Sequence, residues 1–486
     1  MLKNTAPQPG EGRFAPVDEI CRLGVADLVA KIRGRSVSVA EVAAAYLDRI
    51  ETVNGHVNAL VSLRPAADVL READRADARL AAGESVGALF GVPVAVKDLA
   101  QTKGLRTTFG SPLFSAHVPD VDDYFVERLR AAGAILIGKT NVPEFGLGSN
   151  TYNPVFGATA NAYDPALTAG GSSGGAAVAL ALHMLPVADG SDMGGSLRNP
   201  AAYNNVYGLR PSQGRVPGGP APDAFVAQMG VDGPMGRSVR DMALLLSVQA
   251  GHDPRAPLSL GGDSDFAAGL APRVEGARIA WLGDLGGHLA LEPGIAELCT
   301  AALRLLQNEG AQIDDFTPKF DFEALWQAFV TLRHFTSGSA LKIHYDDPEK
   351  RALMKPEAIF EVEGGLDLRA ERIFAASQRR TEWYRHVVGL FERFDFLAAP
   401  TAQVFPFALE RHWPDAIAGR AMDSYHRWME VCALATMAGC PAVNVPVGFD
   451  ARGRPMGMQL IGRPRGDQAV LDLAAGYERL TPWGVR

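Results

Sequence analysis

The sequence predicts an α/β fold, a single large mixed β-sheet flanked by helices on both faces. Two strand–helix–strand units carry that expectation. In the first, the apolar runs Gly91–Val96 and Ala134–Ile137 bracket an amphipathic stretch, Asp122–Ala132; in the second, Arg278–Leu282 and Ala311–Asp314 bracket Gly294–Asn308. Short apolar runs bounded by turn residues read as buried strands. A crossover between two of them implies a parallel pair with a right-handed connection. Helices on both faces follow, because such strands are apolar on both sides and need covering twice. Phe394–Ala399 and Ala442–Val447 add two further strands.

The remaining elements follow in chain order. Residues 1–15 read as a flexible arm, and residues 16–486 as one domain. Two helices come next, near Ala26–Arg33 and Val39–Val53. The second opens on Ser38-Val39-Ala40-Glu41, a capping box in which Ser38 and Glu41 each satisfy a free backbone N–H. Val39, Val42, Tyr46 and Ile50 then repeat at helical spacing and define one apolar face. A charged helix is expected near Ala67–Ala82. From about 320 to 428 the chain is rich in helix formers, aromatics and charge, with no clear strand before Phe394. That stretch reads as a helical insertion that covers a sheet edge and shapes a pocket.

The chain has 486 residues, 47% hydrophobic and 21% charged, which suits a large soluble core. Its formal net charge of -8 argues against nucleic-acid binding and offers no attraction to an anionic membrane. Cys21, Cys299, Cys432 and Cys440 are scattered. That spacing fits neither a zinc site nor a disulfide framework, so free thiols in a reducing cytoplasm are expected. The N-terminus lacks the apolar core of a signal peptide. Pro165–Ala188 carries no formal charge and is long enough to resemble a membrane span. Its run of glycines and serines, with His183 and Pro186, favours a buried core helix of about a dozen residues from Gly174. The expectation is a cytoplasmic protein with a small-molecule substrate.

Two motifs look functional and are read otherwise. Gly133-Ala134-Ile135-Leu136-Ile137-Gly138-Lys139-Thr140 matches the phosphate-loop pattern, but its four middle residues read as a strand rather than a loop. Gly170-Gly171-Ser172-Ser173-Gly174 satisfies the Gly-x-Ser-x-Gly nucleophile elbow. An elbow follows a strand, whereas a turn-rich loop, Asn161–Thr168, precedes this one, and no later histidine sits in a telling context.

A third reading takes Ser196 as the nucleophile. Leu185–Ala188 reads as a short strand that delivers the chain into Asp192-Met193-Gly194-Gly195-Ser196. Two glycines before the serine allow a sharp turn with N–H groups facing inward, an arrangement that stabilises a tetrahedral oxyanion. A serine hydroxyl needs a proton acceptor. Ser172 can relay the proton to Lys97, provided Lys97 is neutral, and burial at the end of Val92–Val96 lowers a lysine pKa. Adjacent strand residues point to opposite faces, so Asp98 need not meet Lys97. Asp192 and Arg198 are expected to hold the loop. Such a set, two serines and a lysine, needs neither metal nor cofactor and points to an amide-bond hydrolase.

These residues together resemble the amidase signature family, through Val96-Lys97-Asp98, Gly170–Gly175 and Asp192-Met193-Gly194-Gly195-Ser196-Leu197-Arg198. Further similar segments are Ile137–Phe145, Tyr207–Ser212, Gly439–Val443 and Gly457–Gly462, so the likeness runs from about Val25 onward. The resemblance implies that Ser196 is the nucleophile, Lys97 the general base and Ser172 the bridging serine, held by a cis peptide after Gly171. It implies an oxyanion hole from the N–H groups of Met193, Gly194, Gly195 and Ser196, with Ser173 orienting the loop. Ser191 stands where many members carry Thr, and Asn199 is a second departure. Homodimers are common in the family. The implied activity is hydrolysis of a carboxylic amide, ester or hydrazide through an acyl-enzyme. The alternatives are the glutaminase subunit of a tRNA-dependent amidotransferase and a catalytically silent binding protein on the same fold. Phe145–Asn150 and the 320–428 region are expected to form the acyl pocket, with Trp326, Phe335, Tyr345 and Trp428 as lining aromatics.

Overall fold

The computed structural model describes residues 7–481 except 11, 263 and 264. Among these, thirteen strands appear in chain order: β1 Leu60–Val61, β2 Pro93–Lys97, β3 Ile135–Thr140, β4 Val187–Asp192, β5 Tyr207–Arg210, β6 Val231–Gly236, β7 Arg278–Trp281, β8 Gln312–Asp315, β9 Phe396–Pro400, β10 Ala416–Ile417, β11 Arg420–Ala421, β12 Ala442–Phe449 and β13 Pro455–Ile461. Eight form a mixed sheet in the order β4-β6-β5-β12-β13-β9-β7-β8. From β4 to β9 every neighbour is antiparallel, while β9–β7 and β7–β8 are parallel. The expected crossover is present, with the helix Ile295–Asn308 joining β7 to β8.

Strand periodicity divides the core between two faces. In β9, Ala398 belongs to the same apolar cluster as Met242, Leu246, Leu303 and Leu471, from the helices Val239–Gln249, Ile295–Asn308 and Asp467–Leu480. Its neighbours Leu397 and Ala399 join Leu325, Phe329, Trp383 and Leu390 on the other face, from Phe322–Arg333 and Ala370–Arg393. Helices therefore cover both sides of the sheet.

The other strand–helix–strand unit forms a small separate sheet. Here β2 and β3 are parallel, joined through the helix Tyr124–Ala131, and β1 lies antiparallel to β3. Its β2 edge runs alongside β4, where a side chain replaces the backbone ladder: the Asp189 carboxylate accepts the Lys97 N–H at 3.2 Å. That bond fixes the end of β2 against the middle of β4. The phosphate-loop lookalike is indeed β3, with Lys139 buried and donating to Ala100 O and Thr102 Oγ1.

The Ser38/Glu41 capping box is formed, and its helix runs Val39–Val57. The core helix from Gly174 ends at Ala181, shorter than the sequence suggested. The chain turns out of it through His183 at φ 59° before Pro186. Between Phe322 and Arg393 the chain is almost wholly helical, and β10 and β11 form a small hairpin beyond β9. In the N-terminal arm, whose residues 1–6 and 11 lie outside the described residues, Arg13 donates to Ala162 O and Tyr163 O. No helix among the described residues is long and apolar enough to cross a membrane.

Every residue of the helix Gly174–Ala181 is buried, and its side chains are small. A Cβ on Gly175 would lie 2.4 Å from both Ala59 O and Asn141 N, two backbone atoms that cannot rotate away. Alanine is the better helix former by about 1 kcal/mol, but overpacking of this kind costs about 1–3 kcal/mol. Gly175→Ala should therefore lower the midpoint of thermal unfolding; an unchanged or higher midpoint would mean that the contact relaxes freely.

Candidate active site

Lys97 is the last residue of β2, and its amine sits inside the protein with the residue 1% exposed. Its Nζ lies 2.8 Å from Ser172 Oγ, 2.8 Å from Ser173 Oγ, 2.9 Å from Ser191 Oγ and 3.3 Å from Ser191 O. Burial drives the lysine pKa down to about 7, against the opposing pull of Asp189, Asp232 and Asp192. Asp98 does not share this environment. It turns to the Thr108 N–H and hydroxyl, as the alternation of a strand requires.

The peptide bond Gly171–Ser172 is cis. Asn199 bears directly on this turn, since its Oδ1 accepts the Gly171 N–H at 3.3 Å. Thr151 Oγ1 donates to Gly170 O and accepts from Gly174 N–H. The Ser173 N–H donates to Ser196 O, which ties the two serine loops together. Ser191, where a Thr was the family expectation, brings its hydroxyl to the lysine.

Ser196 follows β4 through a tight turn. Gly195 has φ 104°, and a Cβ there would lie 2.6 Å from Cys432 Sγ. Asp192 governs the turn: its carboxylate accepts from Gly195 N–H at 3.0 Å, Leu197 N–H at 3.1 Å, and Arg198 Nη2 and Nε at 2.8 and 3.0 Å. Arg210 adds a longer contact at 3.4 Å. Burial opposes ionisation of Asp192, yet the Arg198 charge and these hydrogen bonds hold it well below the usual carboxylate range. The Gly195 N–H is thus directed into Asp192 rather than toward a substrate oxygen. The N–H groups of Met193, Gly194 and Ser196 meet no side-chain or loop acceptor among the described residues.

Ser172 and Ser196 line one cavity of about 150 Å³, together with Leu99, Phe145, Leu147 and Arg333. Among the described residues no hydrogen bond joins the two serine hydroxyls, and no histidine bonds to either. The pocket draws on both expected regions, through Phe145–Leu147 and through Arg333 and Ser337. The four expected aromatics do not line it. Trp326 and Trp428 are 2% and 1% exposed and belong to the core, and Tyr345 packs in the apolar cluster that adjoins the pocket at Phe145 and Leu147. A second cavity, of about 320 Å³, meets the first at Ser191 and Gly230 and contains Asp232. Asp232 pairs across the strands with Ser191, and burial raises its carboxyl to about 7. Sequence reasoning missed Asp189, Asp232 and Arg333, which come from β4, β6 and a distant helix. Among the described residues no group of three or more His, Cys, Asp and Glu side chains could hold a metal ion.

Comparison with known proteins adds a lineage to this geometry. The Amidase family pattern matches residues 41–471. An acylamidase of Rhodococcus erythropolis is 33% identical over 471 residues, covering 95% of this chain and 96% of its own. A glutamyl-tRNA(Gln) amidotransferase subunit from a Cyanothece species is 31% identical, covering 92% and 95%. Among solved structures, a bacterial aryl acylamidase described as an amidase signature enzyme superposes with a TM-score of 0.89. It is 31% identical and covers 95% of this chain and 96% of its own.

The Asp192 anchor gives a stability prediction. Asp192→Asn leaves Arg198 and Arg210, both fully buried, without their counter-charge. Removing one partner of a buried ion pair costs about 3–5 kcal/mol, so the variant should unfold at markedly lower denaturant concentration than the parent chain. Equal midpoints would show that the turn is held by other contacts.

Proposed function

Since this chain belongs to the amidase signature family, we propose that it is an amidohydrolase that cleaves non-peptide carboxylic amides through an acyl-enzyme on Ser196. The observation that carries this reading is the buried Lys97 amine, within hydrogen-bond distance of Ser172 on the wall of the cavity that Ser196 shares. The likeness to acylamidases supports an acyl or aryl amide substrate.

In the proposed cycle, neutral Lys97 accepts the Ser196 proton through Ser172 while Ser196 Oγ forms a bond to the amide carbon. The carbonyl oxygen gains negative charge and is received by N–H groups of the Met193–Ser196 turn; removing one such donor typically costs about 3–4 kcal/mol. The proton then passes to the amide nitrogen, the C–N bond breaks and the amine leaves. Water attacks the ester, gives its proton to the same relay, and the proton returns to Ser196 Oγ as the acid departs. Catalytic hydrogen bonds are often long before substrate binds, which fits the open Ser172–Ser196 gap.

A second reading, the glutaminase component of a tRNA-dependent amidotransferase, is favoured by the likeness to the Cyanothece protein. Glutamine hydrolysis together with co-purification of partner chains would select it.

The variants Ser196→Ala, Ser172→Ala and Lys97→Ala, assayed on aliphatic amides, anilides, esters and glutamine, test the chemistry. Ser196→Ala should lose at least about a thousandfold in kcat, with severe loss in the other two. Activity that persists in Ser196→Ala but vanishes in Ser172→Ala would restore the elbow reading. The pH profile tests the base. Because Lys97 must be neutral, kcat/KM should rise with pH through an ionisation near about 7. A negative charge at Asp232 favours protonated Lys97, so Asp232→Asn should move that limb to lower pH. A limb that stays in place or moves upward would remove Asp232 from the lysine's field.

A further inference from the structure

Arg333 closes the helix Phe322–Arg333 and leads into a π-helical turn, His334–Gly338. It is 5% exposed, yet it lines the cavity that holds Ser172 and Ser196, as does Ser337 from the same turn. Close packing accounts for its place. A Cβ on Gly338 would lie 2.3 Å from Glu361 O, and one on Gly364 would lie 2.4 Å from the His334 ring. Two glycines therefore let the helix Pro356–Leu366 approach and set Glu361 beside Arg333.

The resulting cluster is saturated on its acidic side and open on its basic side. Glu361 receives Arg333 Nε at 2.6 Å, His334 Nδ1 at 3.0 Å and the Tyr425 hydroxyl. Arg333 Nη2 donates to Tyr425 OH at 2.9 Å. Its remaining hydrogen bond among the described residues runs from Nη1 to Met193 Sδ at 3.3 Å, and a thioether is a weak acceptor. A guanidinium carries five N–H donors. Two of them have no partner among the described residues, and a third has only sulfur. Buried donors left in this state are costly. The charge, by contrast, is already balanced by Glu361.

We infer that Arg333 is a substrate-binding residue, and that the substrate is an amide carrying a second, neutral oxygen acceptor such as a ketone, ester or further amide carbonyl. This rests on the amidase reading and adds a substrate class to it. A carboxylate is disfavoured, because it would bury a negative charge beside an ion pair that is already neutral. Leu99, Phe145 and Leu147 share the cavity and favour an apolar link between the two carbonyls.

Binding to the Ser196→Ala chain, measured by calorimetry, tests this without requiring turnover. The ligands are pentanamide, 4-oxopentanamide and 4-amino-4-oxobutanoate, with N-propylacetamide and N-(2-oxopropyl)acetamide as the pair that moves the acceptor to the amine side. In at least one pair the keto amide should bind about tenfold or more tightly than its parent, as expected for a hydrogen bond from a charged donor. Adding Arg333→Lys, which keeps the charge but loses the fork, should bring the ratio of keto amide to parent amide close to one. Equal binding within both pairs, tightest binding of the carboxylate, or a ratio unchanged by Arg333→Lys would overturn the inference. Should Arg333→Lys fail to fold, the ratios in the Ser196→Ala chain still decide. Turnover of pentanamide by the unsubstituted chain reports separately on the amidase reading.

Discussion

An amine buried among hydroxyls is the constraint on which the rest of this site depends. A charged lysine is costly to desolvate, so a lysine placed where Lys97 lies is driven toward neutrality. Its surroundings suit both protonation states. As an ammonium it can donate to Ser172, Ser173 and Ser191. As a neutral amine it can receive one of those hydroxyl protons, because a serine hydroxyl rotates between donating and accepting. Carboxylates in fixed positions would hold the proton in place; hydroxyls allow it to move. Asp189 illustrates the distinction, since its carboxylate binds the Lys97 backbone N–H and leaves the amine to the serines.

Glycine supplies the proximity that this arrangement needs. A Cβ on Gly190 would lie 2.6 Å from Ser173 Oγ, so β4 can reach the lysine's serines only without a side chain there. The turn before Ser196 is anchored independently, by Asp192 held between Arg198 and Arg210. Arg198 also donates to Cys432 O and Gln459 Oε1, which fastens the turn to the centre of the large sheet. Ionised groups thus hold the scaffold, while burial lowers the pKa of the amine that the proposed cycle uses as its base.

Much of this was legible in the sequence, for physical reasons that also explain what was not. β2, β3 and β7 announced themselves as short, largely apolar runs beside amphipathic helices, whereas β8 is mostly polar and was marked by its place after the helix Ile295–Asn308. β6, Val231–Gly236, contains two glycines and a proline, and is not among the strands expected from the sequence. It is a strand because Gly233 admits the close approach of Leu209 O and Pro211, where a Cβ would lie 2.5 and 2.6 Å from them. β13 begins with Pro455 and carries Gly457, residues of low strand propensity, and it too is absent from the expected strands. At the site, the serines and Lys97 sit in compact motifs. Asp232 and Arg333 reach the same cavities only through tertiary contacts, and no local pattern marks them.

The cavity joins two parts of the chain that differ in their chemistry. Lys97, Ser172 and Ser196 come from the first two hundred residues, whereas Arg333, Glu361 and Tyr425 come from the region beyond 320. Met193 is the link between them. Its carbonyl accepts from Thr436 Oγ1 at 2.6 Å, its thioether faces Arg333, and its backbone begins the turn that ends at Ser196. A ligand that drew the guanidinium away from sulfur would change the packing on that turn. Contacts made only as the reacting carbonyl becomes tetrahedral accelerate a reaction, whereas contacts equal in both states merely tighten binding. An arginine coupled through Met193 to the turn before Ser196 can do the former. Selectivity for the distal group of a substrate would then be expressed in kcat as well as in KM.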